Sequence, residues 1–143
     1  MTPSPPPPQN LSDHDFERLL AFRDGLRRFL RWSEDQAKAV GLTGAQHQLL
    51  LAVRGHGSAP SVGDIADRLL LRHHSVVELI DRAERVGLVT RVGDPDDQRV
   101  VRLQLTADGE RKLTALAGEH LEELSRLRTR FESLWNGLPD PPR

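Results

Sequence analysis

Residues 61 to 109 restrict the fold more than any other part of the chain, because their hydrophobic period changes in a fixed order: two helical stretches, two strand-like stretches around an acidic turn, then a helix cap. The first stretch is Ser61-Val-Gly-Asp-Ile-Ala-Asp-Arg-Leu. Ser61 offers its hydroxyl to free helical amides, Asp64 complements the first turn, and Val62, Ile65, Ala66 and Leu69 share one face. This predicts a short helix buried on one side. From Arg72 to Val86, the residues Val76, Leu79, Ile80 and Ala83 recur at helical spacing, and Gly87 follows where a left-handed residue closes a helix. The other face of this second helix is free to meet another molecule.

The strand-like stretches are Leu88-Val-Thr-Arg-Val and Val100-Val-Arg-Leu-Gln-Leu, separated by Gly93-Asp-Pro-Asp-Asp-Gln-Arg. β-formers around Gly, Asp and Pro predict a hairpin with a longer loop. Thr106 then caps a further helix. In this order the pieces form a winged helix-turn-helix. The stretch resembles the MarR (multiple antibiotic resistance regulator) family of transcription factors. The resemblance is carried by Asp97-x-Arg99, by Leu105-Thr106-x-x-Gly109, and by Leu79-Ile80-Asp81-Arg82-Ala83-Glu84-x-x-Gly87-Leu88-Val89. It covers roughly residues 42 to 109 in motif and the flanking helices in pattern.

That resemblance implies a mainly α fold with a small β-hairpin wing, flanked by N- and C-terminal dimerisation helices. It implies a homodimer on a near-palindromic site in double-stranded DNA, with recognition helices in major grooves and wings in neighbouring minor grooves. Arg99 would enter the minor groove while Asp97 holds the wing, and a small-molecule effector would change the dimer's shape and release DNA. Two residues depart from the family pattern. Leu70 stands where many members have glycine in the turn between the helices, so another conformation is expected there. Gln98 replaces a common wing arginine and reduces the charge of the tip.

A chain of 143 residues is long enough for one domain with a real core, and a dimer adds burial. The absence of cysteine excludes disulfides, thiolate metal sites and cysteine-based oxidant sensing. No run of 18 apolar residues occurs and the start is Pro-rich, so neither a membrane span nor a secretion signal is expected, and the cytoplasm is the expected compartment. Net charge is −1. Between residues 60 and 105, arginines 68, 72, 82, 85, 91, 99 and 102 face acids 64, 67, 78, 81, 84, 94, 96 and 97. Total charge gives no argument for nucleic acid, and the DNA reading rests on where the arginines fall.

Residues 1 to 10, with Pro5 to Pro8, predict an extended tail, and residues 139 to 143 a second Pro-rich one. Residues 11 to 138 are expected to form a single domain: a winged unit over about 42 to 109, and dimerisation helices over about 12 to 40 and 107 to 138. Ser12 opens the first long helix, with Leu19, Phe22, Leu26 and Phe29 alternating steps of three and four, and Gly25 weakens it by roughly 1 kcal/mol relative to alanine. Thr43-x-x-Gln46 is a capping box before a helix ended by Gly55. After Thr106, Leu113, Ala117, His120, Leu124, Leu127, Phe131, Leu134 and Leu138 follow a four-three repeat, which predicts burial against a second chain.

On the second helix of the motif, Arg72, His73, His74, Ser75, Val77 and Glu78 occupy the amino-terminal end that reaches base edges, with Arg82 further on. Ser75 suits a base or phosphate, Val77 a thymine methyl and Glu78 a cytosine amino group. Arg72 and Arg82 suit phosphate. Glu78 and Arg82, four apart, would alternatively form a surface ion pair. Effector contacts are assigned to Phe29, Trp32 and His47, which combine apolar area with hydrogen-bonding edges near the junction of helices and winged unit.

His73 and His74 point about 100° apart and share no ligand sphere. Glu119-His120-x-x-Glu123 is better spaced for a metal, yet His120 lies on the apolar seam and reads as a packed histidine. No nucleophile, base and oxyanion hole coincide, and no phosphate-cradling loop occurs, so no enzyme, metal or cofactor is expected. The rival function is a winged-helix protein-interaction module without DNA binding, favoured by the acidic wing tip and Glu78.

Overall fold

The computed structural model describes residues 2–4 and 10–143, so the expected tail at Pro5 to Pro8 lies outside the described residues. Five helices and one hairpin follow in the order α1 (Asp13–Ala39), α2 (Gly44–Arg54), α3 (Val62–Leu69), α4 (His73–Arg85), β1 (Val89–Gly93), β2 (Val101–Leu105) and α5 (Ala107–Glu132). A 3-10 turn, Ser133–Trp135, is the last element of the chain.

Local chemistry sets most of the boundaries. Ser12, Thr43 and Ser61 each accept the amide three residues on, while Asp15, Gln46 and Asp64 reach back to the cap's own amide. These three reciprocal boxes satisfy donors that a helix start leaves free. Gly87 takes φ 76° after α4. Thr106 caps α5 by accepting the Gly109 amide at 3.0 Å and donates to the Gly87 carbonyl at 2.6 Å.

Gly109 shows why the Thr106-x-x-Gly109 spacing is needed. A Cβ there would stand 2.1 Å from the Leu88 carbonyl oxygen, so only glycine lets the start of α5 lie against the strand entry.

The core lies under the winged unit. Leu49 and Leu50 of α2, Ile65 of α3, Val76 and Ile80 of α4, Leu88, Val89 and Leu103 of the hairpin, and Leu113 and Leu116 of α5 are buried together. Each such side chain contributes about 1.5–3 kcal/mol on leaving water. The strands pair antiparallel from Val89↔Leu105 to Gly93↔Val101. The Leu103 amide donates to the Pro60 carbonyl at 2.9 Å, which fastens the hairpin to the entry of α3.

Three expectations need correction. Leu70 does not make the α3–α4 turn by another conformation: it takes the left-handed one at φ 55°, ψ 42°. Both the Leu70 and Leu71 amides close on the Ala66 carbonyl, and packing of α3 on α4 imposes that closure despite a Cβ that disfavours it. The four-three repeat is not one intermolecular seam either. Leu113 and Leu127 are buried within the chain, whereas Ala117, Leu124 and Leu138 are exposed. The repeat also leaves the helix before residue 138, because the Ser133 hydroxyl donates to the Arg130 carbonyl and Gly137 turns left-handed at φ 81°.

Gly25 has a reason to be glycine. It is buried in α1, and a Cβ on it would meet the Phe131 ring of α5 at 2.8 Å. The helix-weakening residue is the one that lets the two long helices approach.

Candidate nucleic-acid interface

Helix α4 buries Val76, Ile80 and Ala83, with Leu79 half-buried beside them. A 100° step per residue puts His74, Glu78, Arg82 and Arg85 on the opposite, exposed row. Arg72 is the N-cap residue and makes no capping bond, so its side chain and that of His73 stand exposed at the helix start. Ser75 and Val77 are half-buried on the flanks. The sequence-assigned residues therefore divide into an outer row and two flanking positions.

The Glu78–Arg82 ion pair, the alternative to DNA contact for these two residues, does not form. Among the described residues Glu78 has no cationic partner within 4 Å. The other two acids of α4 have one: Arg91 of β1 donates to Asp81 and to Glu84, each at 2.5 Å. Arg91 thus neutralises α4's other acids and ties the helix to the wing strand. Sequence spacing across a turn could not reveal this.

The wing tip is organised by a residue that pattern reading missed. Asp94 accepts the Asp96 amide at 2.7 Å, the Asp97 amide at 3.0 Å and Arg102 Nε at 2.5 Å. Arg102 also donates to the Ala59 carbonyl at 2.9 Å. An aspartate directly after a strand end and before Pro95 is a turn-forming residue, and that was the available signal. The Arg102 bond, then the Asp96 amide, holds the Asp94 carboxyl below its ordinary pKa of 3.8.

Asp97 accepts the Arg99 amide at 3.0 Å and the Arg99 guanidinium through both oxygens, at 3.1 and 3.2 Å. Its pKa is lowered first by that guanidinium, then by the amide. The Arg99 side chain nevertheless stays 90% exposed. With Arg91 and Arg102 committed inside the chain, Arg68, Arg72, Arg82, Arg85 and Arg99 are left on the exposed surface of the winged unit.

Phe29, Trp32 and His47 do converge, on His120 of α5. Its ring lies 4.8 Å from those of Trp32 and His47 and 6.1 Å from that of Phe29. His120 Nδ1 faces the Leu116 carbonyl at 2.8 Å, which can only accept, so Nδ1 carries a proton and Nε2 meets the Ser33 hydroxyl at 2.7 Å. Burial, then the neighbouring His120, pushes the His47 pKa below its ordinary value. The imidazole of His120 thus stands among the three effector candidates. An apolar groove of about 670 Å3 adjoins this cluster at Phe29 and runs between α1 and α5, lined by Leu26, Phe29, Leu121, Leu124, Leu127 and Phe131. Among the described residues no group of three His, Cys, Asp or Glu could hold a metal ion, and no helix is long and apolar enough to cross a membrane.

A hairpin clamped to an exposed recognition helix, carried on two long packed helices, defines a winged helix-turn-helix protein. The chain belongs to the MarR family. The MarR family model matches residues 40–100. The HTH-type transcriptional regulator FarR of Neisseria gonorrhoeae is 30% identical over 105 residues, 73% of this chain and 68% of FarR. The HTH-type transcriptional repressor MdtR of Bacillus subtilis (strain 168) is 37% identical over 79 residues, 54% of this chain and 50% of MdtR, so the match spans about half the length of that relative. Among solved structures, Bordetella bronchiseptica BpsR, described for the regulation of its DNA binding by 6-hydroxynicotinic acid, superposes with a TM-score of 0.59. That match is 25% identical and covers 82% of this chain and 83% of BpsR.

Proposed function

We propose that this chain is a cytoplasmic, sequence-specific DNA-binding transcriptional regulator that works as a homodimer and as a repressor. The observation that carries this reading is the exposed row of α4 together with the exposed Arg99 on the same winged unit, whereas Arg91 and Arg102 of the wing strands are bonded internally. Major-groove contact falls to Arg72, His73, His74, Ser75, Val77, Glu78 and Arg82, and minor-groove contact to Arg99 held by Asp97. MdtR, a repressor, and BpsR, whose DNA binding responds to a small aromatic acid, support the reading by kinship.

Uncovered apolar surface on the two long helices supports dimerisation. Leu19, Leu20 and Leu30 of α1 and Leu121 and Leu124 of α5 are each more than half exposed, and the apolar groove lies between these helices. A second copy covering residues 12 to 40 and 107 to 138 would bury them, leaving residues 42 to 109 as the reading unit. A small aromatic effector would act where Phe29, Trp32 and His47 surround His120, by displacing that ring and separating α2 from α5.

The test is a gel-shift titration of the purified protein against the promoters of its own and adjacent genes, in excess random competitor DNA. A competitor-resistant complex with two chains per site is the expected result. Binding to none of these promoters, or binding abolished equally by random DNA, would overturn the reading.

A further inference from the structure

Glu78 sits in the middle of the outer row of α4, between His74 and Arg82, and is exposed. Its carboxylate is the only acid on that helix without an arginine partner, because Arg91 holds both Asp81 and Glu84 and Arg82 does not turn back to it. A helix that presents an unpaired carboxylate at the centre of its docking face carries a local penalty against phosphate and against every base acceptor that side chain meets.

We propose that Glu78 selects cytosine at one fixed position in each half of the DNA site, an assignment that rests on α4 being the DNA-contacting helix. The chemistry of the groove leaves one good partner. An ionised carboxylate only accepts hydrogen bonds. In the major groove guanine offers two acceptors, and thymine an acceptor and a methyl group. Adenine offers an amino donor beside the acceptor N7, which faces the carboxylate unfavourably. Cytosine alone offers its N4 amino group without a neighbouring acceptor on the same base edge. Guanine and thymine leave the charge desolvated and unpaired, and adenine pairs it beside a repelling acceptor, so Glu78 lowers affinity for wrong sites more than it raises affinity for the right one.

This dual role predicts opposite effects on two readouts. Glu78→Ala should bind random DNA more tightly than the wild type and lose the cytosine preference. Glu78→Gln should move the preference to adenine, whose amino group and N7 match the amide's acceptor and donor. Because Glu78 is exposed and makes no side-chain hydrogen bond or ion pair among the described residues, neither change should shift the melting temperature by much.

The experiment is binding-site selection from a randomised duplex pool with wild type, Glu78→Ala and Glu78→Gln, sequencing the bound fraction at equal salt. The expected result is a symmetric site with cytosine enriched about tenfold or more at one position per half, levelled in Glu78→Ala and replaced by adenine in Glu78→Gln. Matching base frequencies in all three pools would overturn the role of Glu78 and leave the regulator reading intact. No enriched site for the wild type would overturn both.

Discussion

The edge of the Phe131 ring lies 2.8 Å from where a Cβ on Gly25 would stand, so the two long helices approach through a residue that has no side chain. Gly109 is in similar contact with the Leu88 carbonyl oxygen, at 2.1 Å. The two differ in what can yield. A ring at the end of a side chain can turn aside, and a backbone oxygen cannot.

Gly25→Ala should therefore have a sign that depends on its neighbour. Alanine gains about 1 kcal/mol of helix propensity, while overpacking against the ring costs about 1–3 kcal/mol. The net in the wild type should be destabilising, and in a Phe131→Ala background stabilising by about 1 kcal/mol. Gly109→Ala should destabilise in either background. Urea unfolding of the wild type, Phe131→Ala, and each glycine variant in both backgrounds, at one protein concentration, checks this, and a Gly25→Ala effect independent of residue 131 would refute the contact.

Leu70 holds a left-handed conformation with its side chain 90% exposed, so it has strain and little packing to offset it. Left-handed backbone costs a residue with a Cβ about 1–2 kcal/mol, and glycine's extra freedom in the unfolded chain returns about half of that. Leu70→Gly should raise stability by about 0.5–1 kcal/mol, whereas Leu70→Ala should leave it unchanged. Thermal melts of both variants decide it; equal shifts would mean that strain is not the term.

The caps were legible because a cap is a local event: Ser12, Thr43, Ser61 and Thr106 each act on an amide three residues away. The buried stripes of α3 and α4 were legible for the same reason, since periodicity reports which face turns inward. The partners of Arg91, Arg102 and His120 were not. Each is fixed by how elements dock, and a one-dimensional pattern does not distinguish an arginine aimed at phosphate from one aimed at Asp81 or the Ala59 carbonyl. The four-three repeat failed differently, because periodicity does not say which leucines of a stripe the chain's own packing covers: Leu113 and Leu127 are buried and Leu124 is exposed.

Docking of α5 on α1 separates two leucines that the repeat treats alike. Leu127 is 7% exposed and belongs to the chain's own packing, and Leu124 is 59% exposed. Leu127→Asp should unfold the protein, by burying an unpaired carboxylate. Leu124→Glu should keep the fold and weaken the proposed dimer. Light scattering and circular dichroism measured together on both variants separate these outcomes; a folded Leu127→Asp monomer would contradict the assignment.

His47 should make stability fall on the acid side. Its folded pKa is depressed by burial and by His120, so the unfolded chain binds the proton more readily. The contribution is complete above the unfolded value near 6.5 and is lost as pH falls through and below it toward the depressed folded value. His47→Leu should flatten this part of the profile. Urea midpoints at pH 7.5 and 5.5 measure it, and parallel losses in wild type and variant would show that His47 is not the group.

The wing offers the most direct link from geometry to DNA. Arg99 is positioned by Asp97, whose amide is in turn held by Asp94, which Arg102 anchors to the body of the protein. If Arg99 enters a narrow A·T-rich minor groove, Arg99→Ala should weaken DNA binding by about 1–3 kcal/mol with fold and assembly intact. Gln98→Ala should do much less, having no charge to exchange for a counterion. Asp94→Ala releases the amides of Asp96 and Asp97 and frees Arg102, so it should weaken binding through the same contact. The double variant should then be scarcely worse than Arg99→Ala alone, since residues acting in one network are not additive. Titrations on one A·T-flanked site at a single salt concentration provide the cycle. Additive losses would mean that Asp94 serves the fold rather than Arg99, and an unchanged affinity for Arg99→Ala would reduce its bond to Asp97 to an exposed ion pair of little consequence.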